Sequence, residues 1–198
     1  MNYPELPDEE LMAAYQKGDL RAFEVLLARH HKGIYNFLYR FLGQSENVDE
    51  AFQEVFERVI RSTNAYVPTA RFTTWLYTIA RNYCIDLARK GRFRKTFSLD
   101  DSPGEDDSFS LGDRVSDKRP GPDQMASASN LEEKLTEALS QINPDQREVF
   151  LLREKQGLPF EEIAAVVGVS VNTVKSRMRY ALTALQDQFK KLGITDLE

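Results

Sequence analysis

Residues 158–182 read LPFEEIAAVVGVSVNTVKSRMRYAL, and their periodicity decides the fold class. Pro159 suits a helix start, Ile163, Ala164 and Val167 recur on one buried face, Gly168 permits a tight turn, and Ser170 is a favourable N-cap for a second helix. Phased at about 100° per residue, that second helix turns Val174, Met178, Leu182, Leu185 and Phe189 inward. Asn172, Ser176 and Arg179 then occupy the centre of the exposed face, with Lys175 on its edge and Arg177 as a further cation. Short polar and guanidinium side chains are what base edges and phosphates require. Small Ala164 lets the helices cross closely, and the turn around Gly168 sets the angle that puts the second helix in a major groove. A merely solvated basic helix in a three-helix bundle is the alternative. Periodicity, small residue, glycine and cap all agree on the helix-turn-helix.

Upstream of this motif, Leu131, Leu135, Leu139 and Ile142 mark an amphipathic helix punctuated by Asn143-Pro144. Asp145 to Gln156 forms another, with Val149, Phe150 and Leu152 inward and Gly157 as its stop. Before these lies a stretch of different composition. Ser98 to Asp123 holds eight acids against three bases, is rich in Ser, Gly and Pro, and has no apolar period, so it reads as a flexible acidic linker. The chain's net charge of −5 is thus concentrated in the strap, and the remainder is neutral. Within that remainder Arg71 to Lys95 carries seven bases and one acid, and Asn172 to Lys191 five bases and one acid.

The N-terminal part is also helical in period. Leu11, Met12, Ala14 and Tyr15 precede a stop at Gly18, and Ala22 to Leu42 follows with Phe23, Leu26, Leu27, Ile34, Phe37, Leu38 and Phe41. In VDEAFQEVFERVIRS, Val48, Phe52, Val55, Phe56, Val59 and Ile60 form one stripe. Its opposite face holds Glu50, Glu54, Glu57 and Arg61 with Asp49 and Gln53 at the edge, either a solvated face or a docking face for a basic partner. In FTTWLYTIARNYCIDLARK the expected buried stripe is Phe72, Leu76, Ile79, Tyr83 and Leu87. Trp75, Thr78, Asn82 and Arg89 share the flank beside it. Trp75 alone reads as core packing; an indole and an amide beside Arg89, Lys90, Arg92, Arg94 and Lys95 read as a stacking surface joined to a phosphate-binding run, suited to single-stranded nucleic acid.

These segments predict an all-α protein of two small helical domains joined by the flexible acidic linker, with bounds 1–97, 98–130 and 131–198. A single cysteine, Cys84, excludes an internal disulfide, the acidic MNYPELPDEE is unlike a secretory signal, and no apolar run approaches the roughly 18 residues of a membrane span. A soluble, cytoplasmic protein without membrane insertion is expected. His30 and His31 are sequence neighbours, which a helix separates by about 100°, so no metal pair is expected of them. No P-loop, metal cluster or nucleophile with its base is present, so neither enzymatic activity nor a cofactor is expected.

Taken in order, GDLRAFEVLLARHH, VDEAFQEVFERVIRS, FTTWLYTIARNYCIDLARK and LPFEEIAAVVGVSVNTVKSRMRYAL resemble bacterial sigma factors of the extracytoplasmic-function group across nearly the whole chain. The resemblance implies a subunit of RNA polymerase that recognises promoters and promotes strand opening. It implies that Asp49, Gln53, Glu54 and Glu57 meet core polymerase. Phe72, Trp75, Asn82, Arg89 and Lys90 would meet the single-stranded minus-10 element, with the loop from Asn64 to Phe72 receiving a flipped base. Asn172, Lys175, Ser176, Arg177 and Arg179 would meet the minus-35 duplex, and an anti-sigma protein is a further implied partner. Tyr180 departs from the family, whose members often have arginine near that position.

Overall fold

The computed structural model of the chain describes residues 3–42, 48–97 and 134–193, with residues 90–97 given by their backbone alone. The whole of the expected linker, residues 98–130, lies outside the described residues, as does Leu131 of the helix expected after it. After a 3₁₀ turn at Tyr3–Glu5, the chain forms α1 (Asp8–Gln16), α2 (Leu20–Leu42), α3 (Val48–Arg61), a second 3₁₀ turn at Thr63–Ala65, and α4 (Phe72–Phe97). The C-terminal body consists of α5 (134–141), α6 (Pro144–Phe150), α7 (Phe160–Val167) and α8 (Val171–Lys191). All regular structure among the described residues is helical.

Local chemistry accounts for the boundaries. Gly18 takes φ 97° between α1 and α2, a left-handed conformation that glycine adopts without a Cβ penalty. Helix α3 places Asp49 and Glu50 in its first turn and Arg58 and Arg61 in its last, opposite to the sign of the helix dipole at each end. Asn143 caps α6 by accepting from the Asp145 N–H, with Pro144 at the first helical position. Beyond Phe150 the same helix widens into a π turn, Leu151–Lys155, rather than running on as α-helix to Gln156.

The N-terminal body packs α1 to α4 around Leu11, Met12, Leu26, Phe37, Leu38, Val55 and Leu76, each fully or almost fully buried. In the C-terminal body Leu139, Leu151, Leu152, Ile163, Val174 and Leu185 are inside, and they join the N-terminal residues in one apolar cluster. Three periodicity readings shift. Leu182 is 45% exposed and Ala181, fully buried, takes its place in the α8 stripe, because the small residue brings α8 close to its neighbours. Ile60 lies at the exposed margin of α3. In α4, Ile79 and Leu87 are only half-buried, while Thr74, Tyr77, Ala80 and Cys84 are buried. The reason is that α4 has two covered sides, one against its own bundle and one against α7 of the C-terminal body.

This second contact continues the apolar cluster and adds a polar network to it. Glu162 of α7 accepts from Thr74 Oγ1 at 2.9 Å and pairs with Arg71 at 3.0 Å. The Tyr77 hydroxyl donates to Gln156 Oε1, whose amide nitrogen donates to the carbonyl of Gly33 at 3.3 Å. Arg81 Nε reaches Glu148 at 2.7 Å, and Arg147 donates to the Phe41 carbonyl at the end of α2 and to the Ser140 carbonyl at the end of α5. The approach at Gly33 is close: an added Cβ would lie 2.9 Å from the Tyr77 hydroxyl and 3.0 Å from Gln156 Oε1, so these side-chain ends would have to shift.

Glu148 sits at the centre, 2% exposed and shared between Arg81 and Arg177. Burial pushes its carboxyl pKa up, and the guanidinium of Arg81, chiefly, pulls against that. Removing one partner of a buried ion pair leaves the other charges uncompensated. Glu148→Ala is therefore expected to destabilise the fold by about 3 kcal/mol, read as a lower urea midpoint. A midpoint unchanged from wild type would show that water replaces the carboxylate without cost.

Candidate nucleic-acid interfaces

The turn between α7 and α8 is built as its residues dictate. Gly168 adopts φ 76° and ψ 35°, and its N–H bonds back to the Ala164 carbonyl at 2.9 Å. Ser170 caps α8 by accepting from the Thr173 N–H at 3.2 Å. Helix α8 then projects Asn172, Lys175 and Arg179 into solvent on one open face. Ser176 is half-buried beside them. Arg179 lies 5.1 Å from the ring of Tyr180, itself 54% exposed, so the guanidinium rests against an aromatic face. Arg177 points elsewhere, toward Asp145 at 2.5 Å and Glu148 at 3.4 Å.

Arg179→Ala is expected to weaken binding to an upstream promoter duplex by about 1 to 3 kcal/mol and to relax its sequence preference. Lys191→Ala, past the reading end, should do less. A gel-shift series across single-base variants of the duplex measures both, and unchanged affinity and selectivity for Arg179→Ala would be incompatible with this docking.

The second surface lies on α4. Asn82 and Arg89 are exposed, and Trp75 is half-buried, tilted against Tyr66 at 5.2 Å and Phe72 at 5.8 Å between ring centroids. Phe72 is 2% exposed and stands behind Trp75 as the wall of this aromatic cluster, not on the open surface. The side chain of Lys90 lies outside the described residues. Thr78 donates to the Thr74 carbonyl at 2.7 Å, a bond within its own helix.

The loop ahead of α4 is braced from a distance. Gln16 of α1 donates to the carbonyls of Thr63 and Tyr66, both at 2.9 Å. Glu9 accepts the Phe72 N–H at 2.9 Å, capping α4 from another helix, and the Tyr66 hydroxyl closes the loop onto the Ala70 carbonyl at 3.0 Å. Gln16 and Glu9 were not expected at the site, whereas Phe72 and the loop from Asn64 were. Gln16 and Glu9 lie 47 to 63 positions from the groups they hold, which leaves no local signal by which a sequence pattern could pair them.

On α3, Asp49, Gln53 and Glu57 are exposed and Glu54 half-buried; Gln53, Glu54 and Glu57, with Glu50, line an open groove whose far wall is Tyr83 and Leu87 of α4, while Asp49 lies outside it beside Tyr35 of α2. Arg58 holds Glu54 at 3.0 Å and Asp86 at 3.3 Å while lying 4.9 Å from the Tyr83 ring. His30 and His31 diverge, His30 bonding Asp8 at 2.7 Å and His31 meeting the Phe52 ring at 4.8 Å.

Sigma-70 region 2 matches residues 26–94, and Sigma-70, region 4, matches residues 132–185. The RNA polymerase sigma-H factor of Pseudomonas aeruginosa is 31% identical over 186 residues, covering 93% of this chain and 95% of that protein. The ECF RNA polymerase sigma-E factor of Escherichia coli K12 is 30% identical over 189 residues, covering 95% and 97%. Among solved structures, CnrH in complex with the cytosolic domain of CnrY aligns with a TM-score of 0.68 at 25% identity, over 93% of this chain and 97% of that one. RpoE of Bartonella quintana, solved with the anti-sigma factor NepR, shares the fold with a TM-score of 0.66 at 22% identity, over 85% and 96%. The chain belongs to the RNA polymerase sigma factors of the extracytoplasmic-function group. It recognises promoters as a partner of core RNA polymerase, and sigma factors are initiation factors rather than enzymes. No described helix is long and apolar enough to cross a membrane.

Proposed function

We propose that the three surfaces divide the work of initiation among named residues. Asp49, Gln53, Glu54 and Glu57 of α3 meet core polymerase. Trp75 and Asn82, with Phe72 as backing wall and Arg89 and Lys90 as phosphate contacts, hold the unpaired minus-10 strand, and the loop from Asn64 to Phe72 receives a flipped base. Asn172, Lys175, Ser176 and Arg179 read the minus-35 duplex; Arg177 joins them by leaving its carboxylate partners for a phosphate. Opening the duplex is differential binding: a base leaves its stack, at a cost of a few kcal/mol, when a protein pocket offers more.

The observation that carries this reading is the pairing of an exposed amide and half-open indole on α4 with an open polar face on α8, in one chain that also bears the acidic groove of α3. The working units are residues 1–97 and 131–198 with 98–130 as linker, acting in the cytoplasm without catalysis. The solved neighbours CnrH and RpoE are each bound to a second protein, the latter an anti-sigma factor, and an inhibitory partner of that kind is proposed here too.

Transcription from a promoter library, by core polymerase with and without this protein, tests the whole. Selection of paired upstream and downstream elements, dependent on the protein, is the expected result. Duplex binding indifferent to core polymerase would return the chain to a stand-alone helix-turn-helix regulator.

A further inference from the structure

We propose that Glu9 and Gln16 of α1 are positioning residues for the minus-10 element: they hold the loop from Asn64 to Phe72 in one shape, and that shape sets which unpaired base the loop accepts. The proposal rests on the reading given above, in which this loop receives a flipped base, and it names what makes the loop selective. Neither residue lies in the stretch that matches Sigma-70 region 2, which begins at residue 26.

The loop has little of its own to fix its shape. Val67, Pro68, Thr69, Ala70 and Arg71 are all exposed. Its internal bonds are short-range: the Tyr66 N–H donates to the Thr63 carbonyl at 3.2 Å, the Thr69 N–H to the Val67 carbonyl at 2.8 Å, and the Tyr66 hydroxyl to the Ala70 carbonyl at 3.0 Å. Tyr66 roots the loop, buried against the rings of Phe72 and Trp75. One buried ring leaves the backbone on either side of it free to shift, and loops so held move on nanosecond to microsecond times.

Helix α1 supplies a constraint at both ends. The Gln16 amide nitrogen donates to the carbonyls of Thr63 and Tyr66, at 2.9 Å each, so both of its hydrogens are engaged by the turn that opens the loop. Glu9 Oε1 accepts the N–H of Phe72 at 2.9 Å, at the start of α4, where a helix leaves its N–H groups without partners of its own. Glu9 and Gln16 stand about two turns apart on one face of α1, roughly 10 Å along a rigid rod. That rod is itself anchored, with Leu11 and Met12 fully buried and Asp8 held by His30 at 2.7 Å and by Arg29 of α2. The span between the two ends of the loop is therefore set by a helix that is no part of the proposed DNA surface.

A flipped base is discriminated by the fit of the pocket that takes it, and a pocket free to change shape accepts several bases at similar strength. Releasing the brace should flatten the preference at one minus-10 position rather than weaken every contact alike.

Transcription by core polymerase and the full chain, from a library randomised across both promoter elements, reads this directly. Gln16→Ala and Glu9→Ala should each lower the preference for the best base over the next, at one minus-10 position, by roughly fivefold or more. The other minus-10 positions and the minus-35 preference should stay within about twofold of wild type. Glu9→Gln keeps an oxygen acceptor for the Phe72 N–H and should retain the preference. Gln16→Glu has no N–H to offer the two carbonyls and should lose it as Gln16→Ala does. Gln16 is exposed, so its variants are expected to fold, which circular dichroism checks. Amide hydrogen exchange gives an independent readout: exchange at Phe72 should quicken roughly tenfold in Glu9→Ala and stay slow in Glu9→Gln. An unaltered preference in folded Gln16→Ala, an even loss across all promoter positions, or exchange at Phe72 as slow in Glu9→Ala as in wild type would overturn the proposal. A wild-type chain that selects no promoter with core polymerase would instead strike the sigma-factor reading, and the proposal with it.

Discussion

Glu54→Lys combined with Glu57→Lys is expected to abolish co-purification with core RNA polymerase while leaving the protein folded. The two carboxylates lie one turn apart on the outer face of α3, each held by an arginine four positions on, Glu54 by Arg58 at 3.0 Å and Glu57 by Arg61 at 2.5 Å. The Glu57–Arg61 pair is exposed and contributes little, roughly 0.3 to 0.5 kcal/mol, while half-buried Arg58 keeps Asp86 when Glu54 is lost, so the thermal midpoint should fall only modestly. Binding is different. Like charges brought together in an interface cost several kcal/mol, and two reversals on one face should lower affinity by at least a thousandfold. Retention of core enzyme undiminished by the double variant, with circular dichroism unchanged, would make this face a solvated one.

Trp75→Ala with Asn82→Ala is expected to cripple strand opening while sparing recognition of the upstream duplex. Each lost base contact should cost on the order of 1 to 3 kcal/mol in the open complex, so the pair amounts to a defect of roughly thirtyfold to twenty-thousandfold. The residues of α8 that read the upstream element are untouched, and closed-complex formation should persist. Because Trp75 also packs on Tyr66 and Phe72, alanine there removes part of the aromatic cluster as well as a stacking surface. Two further variants separate the effects: Asn82→Ala alone alters an exposed side chain, and Trp75→Phe retains a ring for bases and cluster alike. The measurement is transcription from duplex and from pre-melted templates, with permanganate footprinting of exposed thymines. A larger defect on the duplex, fewer reactive thymines and substantial rescue by Trp75→Phe are expected. Equal small defects on both templates would confine Trp75 to packing.

The helices of both bodies were legible because their signals are local. Periodicity, the Ser170 cap and the left-handed Gly168 specify the turn and the α8 face without reference to anything distant. The α3 stripe was legible for the same reason, apart from its margin at Ile60. What escaped the sequence was long-range and polar. A second covered side on α4 buries Thr74 and Tyr77, which no single-stripe phasing at 100° can anticipate. The brace from Gln16 to the loop, the Glu9 cap on α4 and the carboxylate of Glu148 between two arginines join groups far apart in sequence, and hydrogen bonds between such groups leave no periodic trace. Arg177 illustrates the gap most plainly: its neighbours on the helix suggest an outward-facing cation, and only the fold reveals the acids that hold it.

The hydroxyl and charged stripe on the second covered side of α4 also bears on how the chain is made. A ribosome adds roughly 5 to 20 residues per second, so α7, whose last residue follows the end of α4 by 70 positions, emerges about 4 to 14 seconds later. For that interval the N-terminal bundle stands complete with its stripe bare. During that interval Arg71, Thr74, Tyr77 and Arg81 give water groups to hydrate on the bare face of α4, beside the apolar residues that the second body covers later.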